Sequence, residues 1–387
     1  MIRASILAVL LASNASFVYA DDVSAQTAAF KAGASSSGWI DFTTYTNLGI
    51  YLPVKINGHE TLAQLWGGPV TLDKSFAASV GVQAVQSKTD GGSSSGEVEV
   101  QIGDLTLHNS SVKLEDLQAE AYAPILGRPL TFQLGEEIFN QVAVEIDFAN
   151  HRVAFHDPKT VSKPAGATEV ALIELDGERV VPVSVDGAPP AQFELELGNM
   201  IGPLMTTPAY AQTHKLLEGH PTSQRLSGRY SETVVSIDHL TFAGVDFPQA
   251  PIAIIPDTEL PPASITGGVG LPLLTKFNRI IIDYSHNRLY AIPNPVAANR
   301  AIEKDRIGLI LGPTKSGDFG VYFVAPHSPA EAAGFKKGDK MSLIDGKPFG
   351  AWPGAAIHGF HMAAVGTAHT FTMLDGTVRQ VRAVDFF

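Results

Sequence analysis

The stretch Pro53-Val54-Lys55-Ile56-Asn57-Gly58 returns as Pro182-Val183-Ser184-Val185-Asp186-Gly187, and that recurrence decides how the rest of the chain is read. Each copy alternates apolar and polar residues and ends on Asn-Gly or Asp-Gly, the pattern of a strand entering a two-residue hairpin turn. Working outward, Leu65 and Gly68 answer to Leu195 and Gly198 at nearly the same spacing. Ile125-Leu126-Gly127-Arg128-Pro129-Leu130 is matched with Gly268-Val269-Gly270-Leu271-Pro272-Leu273. Ile146-Asp147-Phe148 with Arg152-Val153 returns as Ile282-Asp283-Tyr284 with Arg288-Leu289. Four landmarks in one order make two related halves. Alternation over 52–56, 98–107 and 180–185 predicts antiparallel sheet. Short helices are expected over Asp73–Val80 and Thr207–His214, with Asp73 read as an N-cap rather than a catalytic acid.

Composition agrees with a folded, strand-rich chain. Of 387 residues 45% are hydrophobic, and 36 Gly with 25 Pro favour many short strands joined by turns. The balance of 27 Lys+Arg against 39 Asp+Glu gives −12, without basic blocks, which argues against nucleic acid or anionic lipid as partner. The absence of cysteine excludes disulfides, thiol nucleophiles and Cys-ligated metal. Residues 1–20 read as an export signal: Arg3 opens it, Ala4–Leu11 is apolar, and Val18-Tyr19-Ala20 is a small-x-Ala cleavage site before Asp21. The apolar stretch is well short of the roughly 20 residues a membrane span needs. The expectation is an exported protein, periplasmic or extracellular, with no membrane anchor after cleavage.

Each half resembles the retropepsin-like aspartic peptidase domain, and the tandem looks like a pepsin-type bilobal pseudo-dimer. The resemblance rests on a hairpin leading into an apolar strand, a glycine loop followed by a helix, and a closing Ile-Asp-Phe/Tyr strand. It implies a mainly β fold with an N-terminal lobe at 40–158 and a second lobe at 168–294. In that family the strand ends in Asp-Thr/Ser-Gly. By resemblance, the catalytic aspartate of the first lobe falls on Trp66 and its hydroxyl neighbour on Gly67; in the second lobe they fall on Glu196 and Leu197. Gly68 and Gly198 alone survive. Such peptidases need two carboxylates about 3 Å apart sharing a proton, and an indole can neither activate water nor donate to a leaving group. The lost hydroxyls, by resemblance, tie the two loops together. The resemblance therefore implies a degenerate site, and Trp66 reads as an apolar plug at the lobe interface.

A third unit carries its own signal. Ser328-Pro329-Ala330-Glu331-Ala332-Ala333-Gly334-Phe335-Lys336-Lys337-Gly338-Asp339, followed by Ile344-Asp345-Gly346-Lys347-Pro348, looks like the PDZ domain of exported bacterial proteases, here at 305–387. Ser328 is expected to cap a short helix, Gly334 to end it, and Asp345-Gly346 to turn a hairpin. Arg306, Ile307, Gly308 and Leu309 stand where the resemblance places a carboxylate-binding loop, whose amides would hold a peptide's free C-terminus while the peptide adds a strand. The opposite wall is expected from a helix near Ala355–Ala364 offering Ile357, Phe360 and His361. The implied partners are peptides or exported proteins with free apolar C-termini.

Other motifs carry less. Gly92–Gly96 fits a nucleophile-elbow spelling but lacks its strand-to-helix context. His358 and His361 have helical spacing without the remaining ligands of a metal motif. Gly267–Gly270 belongs to the repeated turn rather than to a phosphate loop. Neither a metal nor a cofactor is implied. Three readings stay open: a peptide- or protein-binding pseudo-peptidase, an atypical active endopeptidase using Glu196, and a non-catalytic scaffold.

Overall fold

The computed structural model describes residues 26–44, 49–86, 93–117, 129–198, 202–227, 230–256, 260–298, 300–352 and 359–387. The expected export signal, the segment Ile125–Arg128, and the first four residues of the helix expected near Ala355–Ala364, Ile357 among them, lie outside them. The molecule is mainly β, and the described residues form three large sheets and a smaller fourth.

The two repeated stretches form the same element. Ile50–Ile56 pairs with His59–Leu65, and Glu178–Val185 with Ala191–Glu196. Both turns are left-handed at two positions, Asn57 and Gly58 at φ 48° and 81°, Asp186 and Gly187 at 48° and 74°. Only the first closes a two-residue hairpin: in the second, pairing with the return strand resumes at Val183 and Ala191. Left-handed values at both positions are what a right-twisted hairpin demands, and what Asn/Asp-Gly supplies. The sheets are not purely antiparallel, as the alternation had suggested. Phe132–Leu134 runs parallel to His59–Leu65 and antiparallel to Thr71–Asp73, which pairs parallel with Lys113–Glu115. The second half repeats this, with Gly267–Gly270 parallel to Ala191–Glu196 and antiparallel to Leu204–Thr206, itself parallel to Val245–Ile254. In each half the chain leaves a strand and returns beside a neighbour that does not follow it in sequence, and that return inserts parallel pairs.

That pairing corrects one match in the repeat. Leu134 lies beside Leu65 and Val269 beside Leu195, so Gln133-Leu134-Gly135 is the counterpart of Gly268-Val269-Gly270. The stretch from Ile125 had been matched in its place. The Ile-Leu-Gly spelling there was a better local fit than Gln-Leu-Gly, but strand register decides equivalence.

Both expected helices form. Lys74–Ser79 is capped by Asp73, whose Oδ1 accepts from Phe76 N at 2.9 Å, while Pro208–Thr213 is capped by Thr207 through Tyr210 N at 3.2 Å. Asp73 is fully buried and its second oxygen accepts from Leu117 N at 3.1 Å, which commits it to structure.

A six-stranded sheet joins the halves. Ala143–Asp147 pairs antiparallel with Phe277–Asp283, setting Val144 against Ile282, Glu145 against Ile281 and Ile146 against Ile280. Ile146 and Ile282 are repeat partners, so the pairs Val144·Ile282 and Ile280·Ile146 exchange under the repeat. A pseudo-twofold axis therefore passes through the pair Glu145 and Ile281. One continuous apolar core runs through both halves, from Phe42 to Ile302. The first half also begins earlier than residue 40: Gln26–Phe30 pairs with Leu105–Asn109, and Gln26 Nε2 donates to Asn109 Oδ1 at 2.7 Å.

The C-terminal unit has a separate core, from Ile307 to Ala383, under a five-stranded sheet that starts at the edge strand Leu309–Pro313 and ends at Val378–Arg382. Ser328 caps Pro329–Ala332, Gly334 follows at φ 80°, and Asp345-Gly346 turns at 51° and 73°. Each of these was expected. Of the helix near Ala355–Ala364, the described residues hold helical Gly359 and the 3₁₀ turn Phe360–Met362 that follows it.

Candidate functional site

The loops after His59–Leu65 and Ala191–Glu196 meet where the two halves face each other. Trp66 hangs from Leu134, its amide donating to that carbonyl at 2.9 Å, and its indole crosses to the other half. A methyl group placed on Gly198 would lie 2.9 Å from Trp66 Cζ3, and one on Gly68 would lie 2.5 Å from Trp66 Nε1. The two glycines that survive in the repeat thus have a shared reason here: the indole occupies the space a side chain at either would need. Leu197 is buried in the common core. Gly67 and Leu197 meet by packing alone at this point and offer no side-chain hydroxyl.

Glu136, Glu137 and Gly135 hold this loop from behind. Glu136 N donates to Gly68 O at 2.9 Å, and the Glu137 carboxylate accepts from Val70 N at 3.1 Å. Glu196 folds its carboxylate over Gly268 on the adjacent parallel strand. At the equivalent place in the first half Gln133 donates to Gln64 at 3.2 Å, and Gln64 is the repeat partner of Glu194.

Sequence reading missed the acid group this creates. Glu194 and Glu196 are two apart on one strand, so both project from the face opposite Phe193 and Leu195. Glu194 is half-buried and its pKa is raised far above the carboxylate range, first by burial, then by the negative charge of Glu196, Glu178 and Glu136. Glu136 still reaches solvent, but the protein around it removes enough hydration, with Glu178 and Glu137 adding like charge, to push it up to about 7 against the pull of Arg179. Glu137 and Glu178 are raised by burial as well. Tyr284 from the second half stacks on Phe139 from the first at 5.3 Å, with Arg179 4.7 Å above its ring. Burial raises the Tyr284 hydroxyl, chiefly. Arg179 itself binds Glu174 and Asn287, both at 3.0 Å, so it is shared rather than dedicated to the acids. Glu-x-Glu in an alternating strand was the available signal. Among the described residues no group of three or more His, Asp or Glu could hold a metal ion.

The expected peptide loop is differently placed from its expected role. Ile307 N and Gly308 N both donate to Asp305 Oδ1 at 2.8 Å, and Arg306 N donates to His361 O at 2.8 Å. The Arg306 guanidinium binds Asp385 at 2.7 Å. Two of the amides expected to receive a chain end therefore already hold a carboxylate of this chain. Ile307 and Leu309 point into the core, as does Phe360, and a side chain on Gly308, at φ 80°, would run into Ser328. Asp305, directly before the quoted loop, is the residue the sequence reading overlooked. Leu309–Pro313 is paired on one side only among the described residues.

No protein-family model matches the chain, and no curated protein matches it. No helix among the described residues is long and apolar enough to cross a membrane.

Proposed function

We propose that the chain is an exported pseudo-peptidase: two retropepsin-like lobes at 40–158 and 168–294 that hold extended peptide or protein segments without cutting them, followed by a PDZ-like unit at 305–387. The observation that carries this is the indole of Trp66 lying against Gly198, where a peptidase of this kind would need the first of two carboxylates. The repeated parallel and antiparallel pairing, and the pseudo-twofold axis through Glu145 and Ile281, support the bilobal frame. Removing a positioned acid–base group forfeits typically about 10²- to 10⁴-fold in rate.

The test is an assay of the mature protein on peptide libraries from pH 3 to 7, with and without a transition-state mimic of aspartic peptidases. The expected result is no cleavage that the mimic inhibits, with peptide binding retained. Inhibited turnover would sink the proposal.

One observation favours a second reading. Glu194 and Glu196 share a strand face and their charges interact. A carboxyl held protonated beside an ionised one is a donor and acceptor pair of the kind acid hydrolases use. In that reading Glu194→Gln and Glu196→Gln would each abolish a measurable hydrolysis. In the preferred reading there is none to abolish.

A further inference from the structure

We propose that the C-terminal unit binds an extended segment internal to a partner chain along the outer edge of Leu309–Pro313, because Asp305 already occupies two of the amides that would hold a chain end. The inference rests on the peptide-binding reading of this unit and deepens it.

Three consecutive amides decide the matter. Arg306 N is taken by His361 O, and Ile307 N and Gly308 N converge on one oxygen of Asp305. A terminal carboxylate arriving here would find three of the loop's four amides taken and a fixed negative charge beside it. The one cationic side chain of the loop is engaged with Asp385 and reaches Ala363 O at 3.4 Å. Charge complementarity at this end of the edge strand is therefore against an anion and indifferent to a neutral peptide group. The edge itself offers main-chain donors and acceptors on its unpaired side, and strand addition needs no chain terminus. An occupant that continues past the loop, presenting an ordinary peptide unit where a terminus would carry its charge, meets both conditions.

The experiment uses the full mature chain and extended peptides with an apolar final residue, each made as free acid, as C-terminal amide, and with further residues after the apolar one. Wild type is expected to bind the three forms within about twofold of one another by fluorescence anisotropy. Hydrogen exchange should show protection gained in 309–313 and none gained at Ile307 and Gly308. Asp305→Ala, which frees the two amides, is expected to gain at least about tenfold preference for the free acid. Asp305→Asn, which keeps an acceptor without the charge, should show no such gain. A tenfold or greater preference of wild type for free acids overturns the inference and leaves peptide binding intact. Failure of every peptide to bind both wild type and Asp305→Ala overturns the peptide-binding reading itself, and this inference with it. Should Asp305→Ala not fold, the wild-type comparison decides alone.

Discussion

Two single residues test the site. Gly198 lies under the indole of Trp66, so Gly198→Ala forces a methyl to within 2.9 Å of a ring atom in a packed seam. Overpacking of that kind costs about 1–3 kcal/mol. The expected outcome is a lower urea midpoint, restored in part when Trp66→Leu is added, because the smaller side chain vacates the contested space. Glu194 tests the electrostatics. Its folded pKa is raised, so the folded state binds a proton that the unfolded chain releases near pH 4.5. Stability from this group is full below the unfolded value and is lost as pH rises through the folded one. Glu136, raised to about 7, acts in the same sense. Wild type should therefore lose stability between pH 5 and 8. Glu194→Gln should flatten that decline and raise stability at pH 8 by on the order of 2 kcal/mol, measured by urea unfolding at each pH.

At the scale of elements, the two capped helices look equivalent but differ in what the cap also holds. Thr207 satisfies its helix alone, whereas Asp73 is fully buried and serves Leu117 N besides. Thr207→Ala should cost about 0.5–2 kcal/mol. Asp73→Ala should cost about 1–3 kcal/mol more, since a buried amide loses its acceptor; chemical denaturation of both variants checks the order. These helices, the left-handed turns at Asn57, Asp186 and Asp345, and the cap at Ser328 were legible in the sequence because each is set by residues within a few positions. What was not legible depends on contacts distant along the chain. Register between Phe132–Leu134 and His59–Leu65 fixed the true partner of Gly268-Val269-Gly270, against a closer spelling match elsewhere. Trp66 stood out in the sequence because of the missing aspartate. The acids around Glu194 did not, because Glu136 and Glu178 join Glu196 only after folding. Asp305 escaped for a different reason: its effect is to fill a site, and a motif shows what a loop can bind without showing what it holds.

At the scale of the molecule, the two halves share one core and one central sheet, while 305–387 has a core of its own. Calorimetry should accordingly show two transitions, one for the joined halves and one for the C-terminal unit. Lys304 spans the seam between them, buried, donating to Ser236 in the second half and to the Phe387 carbonyl. Lys304→Met should bring the smaller unit's transition down and leave the larger within about 2 °C. The sheet that joins the halves has a further consequence, at the pair on its axis. In a complex of two first halves the residue opposite Glu145 would be another Glu145. The guanidinium of Arg279, which binds Glu145 at 2.9 Å, would have Ala143 in its place. Each glutamate would keep only its own His156, 2.7 Å away. The first half is thus coded to reject a copy of itself and to accept the second, so that when neighbouring chains fold together at high concentration, exchange of halves into first–first pairs is disfavoured by charge at the one position where symmetry makes like meet like.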